Sequence, residues 1–157
     1  MTTLLETTHS NGQEIKIWHS DHIALRHVLS LLFKGYAKLL EQKFLFPSLN
    51  WENFGDSKIV WVTNIEGKII GGMHYELDTK NYNAGVIKLV FVENEKEYTE
   101  EVHGFCLAHL KKLVKQHNLG WIVQQVHIDN QVNLDLAFST GLKPSFYLLS
   151  RSLVDED

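Results

Sequence analysis

His74 and Glu76 stand two residues apart in the run Ile69–Leu77. Residues so spaced share a face of an extended chain. An imidazole and a carboxylate placed that way could act as a proton-transfer pair, with Glu76 deprotonating an amine. An ordinary polar sheet face accounts for the same spacing. The second segment with chemical content runs from Val92 to Gly104. The apolar run Val86–Val92 leads into it, and a periodic helix leaves it. A helix start after a strand is where backbone N–H groups would receive a phosphate-bearing ligand. Here the segment carries Glu93, Glu95, Glu97, Glu100 and Glu101. Acidic residues in a first turn favour the helix through its dipole, and Thr99 is a suitable cap. The carboxylates thus take the electrostatic place that a phosphate would fill.

Other reactive residue types point less far. No His-x-x-x-His or Cys-x-x-Cys spacing occurs, and His22, His27, His103, His109 and His117 fall on different helices or faces, so no metal site is expected. The single Cys106 lies on an apolar helix stripe, reads as core, and excludes a disulfide framework. Lys111, Lys112 and Lys115 form an outward helix face. Trp51, Phe54 and Trp61 could shape an acceptor pocket or simply belong to the core or a covering loop. A net charge of −4 carries no nucleic-acid footprint. No apolar run reaches membrane-spanning length, and the first eleven residues lack a signal-peptide core. The expectation is one cytoplasmic domain over residues 1–157, with a flexible or loosely packed N-terminus over 1–12.

The elements that must position these residues follow from periodicity. Glu14–His19 alternates as a half-buried strand. After the cap at Ser20-Asp21, Ala24, Val28, Leu31, Leu32, Leu39 and Leu40 recur at helical spacing, with Gly35 expected to break the run into two helices. Pro47 and Ser48–Asp56 read as a loop. Lys58–Ile65 and Ile69–Leu77 flank the turn Glu66-Gly67-Lys68, and Asn81-Tyr82-Asn83 turns the chain into Gly85–Val92, which completes an antiparallel meander. Val102, Phe105, Cys106, Leu110, Leu113 and Val114 form one helical stripe, ended at Asn118-Leu119-Gly120. Trp121–Ile128 is a strand, Asn130–Thr140 a short helix, and Ser145–Leu153 a last strand.

This order, β-α-α-β-β-β-α-β-α-β, joins a local signature from Asn130 to Pro144 (Asn-Gln-Val-Asn-Leu-Asp-Leu-Ala-Phe-Ser-Thr-Gly-Leu-Lys-Pro). Together they resemble the GCN5-related N-acetyltransferase (GNAT) superfamily, whose segment after the fifth strand usually reads Asn-x-x-Ala-x-x-Leu-Tyr-x-x-x-Gly-Phe. Asn130, Leu136 and Gly141 match, and Leu142 stands for the Phe. The resemblance implies an α/β (α+β) fold, a mixed and mostly antiparallel sheet flanked by helices. Gly85–Val92 and Trp121–Ile128 should then be parallel, joined by a crossover of about 28 residues, and should diverge at their C-terminal ends.

It also implies transfer of an acetyl or other acyl group from an acyl-CoA co-substrate to an amine of a small molecule or peptide. The backbone of Lys88 to Val92, including Leu89, Val90 and Phe91, would hold the pantetheine arm, with an N–H near Val90 or Phe91 polarising the thioester carbonyl. Thr99, Val102, His103 and Gly104 would face the diphosphate, and Asn130 would complete the cofactor side. Glu76 or a water would take the amine proton, Tyr147 would serve as acid, and His127 lies near the cleft. Neither nucleic acid nor membrane is an expected partner; a homodimer is a possible assembly.

Two family positions depart from the pattern. The diphosphate loop, normally Arg/Gln-x-x-Gly-x-Gly/Ala, falls on Tyr98–His103 with no glycine, or on Thr99–Gly104 with only the last. The family's frequent acid, a Tyr, falls on Ala137. An inactive GNAT-fold binding or regulatory module is therefore the alternative, and an enzyme using another donor a third.

Overall fold

The computed structural model describes residues 2–21, 26–42, 58–145 and 151. Among the described residues there are six strands, β1 (Thr2–Ser10), β2 (Gln13–Ser20), β3 (Lys58–Asn64), β4 (Ile69–Asp78), β5 (Ala84–Val92) and β6 (Trp121–Gln124). They hydrogen-bond in sequence order, antiparallel except for the parallel pair β5·β6. The expected meander and the parallel crossover are both present. The helices are α1 (Arg26–Glu41), α2 (Glu100–Gln116) and α3 (Gln131–Ser139).

Period-two alternation gives the sheet two apolar faces. Ile17, Val60, Val62, Met73, Tyr75, Ile87 and Val90 meet Val102, Cys106, Leu107 and Leu110 of α2, with Leu136 of α3. On the opposite face Ile59, Trp61, Leu89 and Phe91 pack against Leu32 and Tyr36 of α1. The helix α2 starts where Thr99 accepts a hydrogen bond from the Val102 amide, and it ends at His117. Asn118 carries the left-handed φ of +54° that turns the chain out of it.

Three departures from the sequence expectation have physical causes. Residues 2–10 form a paired strand, not a flexible terminus. Asn11-Gly12, both at positive φ, close a two-residue hairpin, Leu5 packs on the core, and Glu6 meets His109 of α2 at 3.4 Å. Gly35 does not break α1. It lies where the helix comes closest to β5, and a Cβ there would sit 3.2 Å from Leu89 Cδ2. One helix therefore replaces the expected two across residues 26–41. The strand expected over Trp121–Ile128 stops at Gln124. Apart from Ser145 and Arg151, the final strand expected over Ser145–Leu153 lies outside the described residues, as does the loop at Pro47 and Ser48–Asp56.

Candidate active site where β5 and β6 part

The parallel pair is short. Its register runs from Ala84↔Trp121 to Ile87↔Gln124, while β5 continues to Val92, beside β4 alone among the described residues. A β-bulge explains the change of course. The partners on β4 and β5 jump from His74↔Leu89 to Tyr75↔Ile87, which leaves Lys88 as the extra residue. A bulge bends its strand and raises the local twist, so β5 swings away from β6 from Lys88 onward.

The gap is a narrow groove between Lys88–Val90 of β5 and Gln124–His127 at and beyond the end of β6, bounded by Leu39 of α1 and by Asn130 and Asn133 at the start of α3. It encloses about 20 Å³, room for about one water molecule. An arm of any length would have to widen it. Gln124 contributes a buried Oε1 with no hydrogen-bond partner among the described residues.

Beside the groove the sequence-predicted pair is present but differently used. His74 and Glu76 both face the α1 side. Glu76 forms an ion pair with Lys88 at 3.0 Å, each side chain about one quarter exposed (23% and 24%). His74 is 1% exposed, and its Nδ1 lies 2.8 Å from the Tyr36 hydroxyl. Burial, with Lys88 adding to it, pushes the imidazole down to about 4, so it is neutral at pH 7. Burial, with Glu76 adding to it, raises the Tyr36 phenol above its ordinary range. His74 is therefore a buried neutral partner of Tyr36, and Glu76 is the carboxylate that reaches solvent. Tyr36 and Lys88 escaped the sequence reading. Tyr36 follows Leu32 by four positions and precedes Leu39 by three, and that spacing would have placed it on the buried stripe.

His127 lies past the end of β6, its Nδ1 accepting from the Asp129 amide at 3.1 Å. Asn130 caps α3, its Oδ1 accepting from the Asn133 amide at 3.3 Å. Leu89 and Phe91 point to the α1 face and Val90 to the α2 face, while Val92 is half-buried at the strand end. Ala137, at the place of the family's tyrosine, is buried. Tyr147, Trp51 and Phe54 lie outside the described residues. Trp61 is 3% exposed and stacks on Trp18 with centroids 6.4 Å apart. Both rings border an open hollow of about 360 Å³ over β2 and β3 that also meets Lys16 and Thr63. Cys106 is fully buried, and burial pushes its thiol up to about 12.

The segment joining β5 to α2 is closed on itself. Asn94 Oδ1 accepts from the Lys96 and Glu97 amides, at 3.1 and 3.2 Å. Tyr98 N donates to Asn94 O, and Thr99 N to Glu97 O. Thr99 takes the amides of both Val102, through its hydroxyl, and His103, through its carbonyl. The His103 ring is buried, with Nδ1 2.9 Å from the Tyr98 hydroxyl. Gly104 sits in open space, so no close approach there requires a glycine. The chain's fit to CoA is thus divided. The parted strands and the bulge suit a thioester arm, whereas the α2 start does not suit a diphosphate.

No protein-family model matches the chain, and no curated protein matches it in sequence. Solved structures do. An aminoglycoside acetyltransferase from an uncultured soil metagenomic sample superposes with a TM-score of 0.63 at 15% identity, covering 88% of this chain and 94% of that one. An aminoglycoside N-acetyltransferase in complex with CoA gives 0.63 at 12%, covering 92% and 98%. A ribosomal-protein-alanine N-acetyltransferase from Brucella melitensis gives 0.62 at 11%, covering 88% and 99%. At these identities the shared property is architecture: the chain has the GNAT fold.

Proposed function

We propose that this protein is an N-acyltransferase that moves an acetyl or other acyl group from a thioester donor to an amine. The observation that carries the reading is the bulge at Lys88, which parts β5 from β6 beside the solvent-reaching carboxylate of Glu76. The donor's arm would lie between Lys88–Val90 and Gln124–His127, extending the sheet where β6 leaves it. Amides near Val90 or Phe91 would polarise the thioester carbonyl. The amine nitrogen attacks the carbonyl carbon, a C–N bond forms, and the C–S bond breaks. The amine proton goes to Glu76, directly or through water. The departing thiolate takes a proton, for which Tyr147 is the proposed source. Lys88 holds the Glu76 carboxylate in place until the amine arrives.

Melting temperature with and without acetyl-CoA tests the reading. A ligand at 100 times its dissociation constant stabilises by about 2.7 kcal/mol, a shift of several degrees in a domain of this size. Thiol release from the thioester on addition of primary amines should accompany it. Absence of both, over a panel of acyl thioesters and amines, would sink the acyltransferase reading. A second reading, a non-catalytic GNAT-fold binding or regulatory module, is favoured by one observation: the Val102 and His103 amides in the first turn of α2 are already bonded to Thr99.

A further inference from the structure

We infer that the donor is recognised by its thioester arm alone, and that its nucleotide end is left in solvent, so that acyl-pantetheine thioesters bind as well as acyl-CoA. This rests on the acyl-transfer reading and narrows its donor class. From Glu93 to His103 eight amides donate within the chain. Glu93 and Asn94 both reach Ile70 O, at 2.9 and 3.0 Å. Asn94 and Glu97 satisfy those of Lys96, Glu97, Tyr98 and Thr99, and Thr99 those of Val102 and His103. Among the described residues, the three amides without such an acceptor belong to Glu95, Glu100 and Glu101. All three carry exposed carboxylates. An anion approaching the remaining donors therefore meets a negative charge at each.

The segment is also held shut. Asn64 Nδ2 donates to Glu97 Oε2 at 3.1 Å, which ties the loop to the end of β3. The Tyr98 ring, 3% exposed, fills the space over Gly71, where a Cβ would stand 2.5 Å from its Cδ2. Lys34 reaches across from α1, but its ammonium pairs with Glu93 at 3.3 Å. Lys96 is the cation within the loop, set against five glutamates. Rearrangement to cradle a diphosphate would break these bonds without supplying the glycines that close approach requires. The arm's end of the site has the opposite character. The buried Oε1 of Gln124, without a partner among the described residues, lies in the groove wall, and an amide N–H of a pantetheine arm is a donor that would satisfy it.

Calorimetry with S-acetyl-pantetheine and acetyl-CoA on the wild-type chain tests this. The two dissociation constants should agree within about threefold. From low to high ionic strength acetyl-CoA should tighten as repulsion from the glutamates is screened, while the uncharged thioester stays constant. Gln124→Met should weaken both ligands by a common factor. Acetyl-CoA binding at least about tenfold tighter than acetyl-pantetheine, equivalent to about 1.4 kcal/mol, and weakening with salt, would overturn the inference while leaving acyl transfer standing. Binding of neither ligand would overturn the inference and the acyl-transfer reading together.

Discussion

Two buried histidines, His74 and His103, make this protein acid-sensitive by an amount that can be worked out. His74 is 1% exposed and His103 is fully buried, and burial pushes each imidazole from 6.5 down to about 4. The unfolded chain therefore binds more protons than the folded one between those values. Stability is intact above pH 6.5, falls as the pH drops through this window, and has lost the whole contribution near pH 4. Between pH 7 and pH 5 each histidine should remove about 2 kcal/mol, so the pair removes about 4 kcal/mol. That is a large share of the roughly 5–15 kcal/mol of a typical domain. His19 is lowered too, chiefly by burial, and acts in the same direction. The lowered carboxyls of Asp21 and Asp78 titrate below this window. Urea unfolding at pH 7 and pH 5 measures the total. In His103→Gln the loss over that interval should shrink by about 2 kcal/mol, whatever the variant's stability at pH 7. A pH dependence unchanged by the substitution, or no loss for the wild type, would show that burial does not hold His103 neutral in the folded state.

Other outcomes follow from the same geometry. Glu101→Gly should bind CoA at least several-fold more tightly, most clearly at low salt, because one carboxylate beside an unbonded amide is removed; calorimetry at two ionic strengths measures it. Glu76→Gln should lower the turnover rate by about 10²–10⁴-fold, the usual contribution of a general base, with donor affinity unchanged in a steady-state and binding comparison. Gly72→Ala should cost about 1–3 kcal/mol in a denaturant titration. Its Cβ would collide with the Val60 carbonyl oxygen and approach the Phe91 ring within 2.7 Å.

Much of the architecture was legible because hydrophobic period and turn chemistry agree. The stripe of α2, the Thr99 cap, the hairpin at Gly67 and the parallel crossover all follow local rules. What escaped was set by contacts distant in sequence. Gly35 reads as a helix breaker in a one-dimensional pattern, yet its role is to let α1 approach Leu89 and Phe91. Trp121–Ile128 looks like one strand, but the bulge at Lys88 removes the partner that its second half would need. The β1 hairpin was readable from Asn11-Gly12, and its polar, threonine-rich strand disguised it. At the site, the shared face of His74 and Glu76 was visible from spacing. Their separate partners, Tyr36 and Lys88, were not, because one comes from α1 and the other from a bulge. The missing glycines before α2 foretold an altered loop. The bonds by which Asn94 and Thr99 consume five amides of this segment depend on the path of the folded loop, which periodicity does not encode.

If a thioester donor enters where β5 and β6 part, backbone amide NMR of the labelled chain titrated with S-acetyl-pantetheine will show where it sits. The largest shift changes should fall at Lys88–Val90 and Gln124–His127, with Glu100, Glu101 and Val102 unmoved. Changes centred on the hollow beside Trp18 and Trp61, or on the start of α2 with β5 and β6 silent, would contradict entry at that gap.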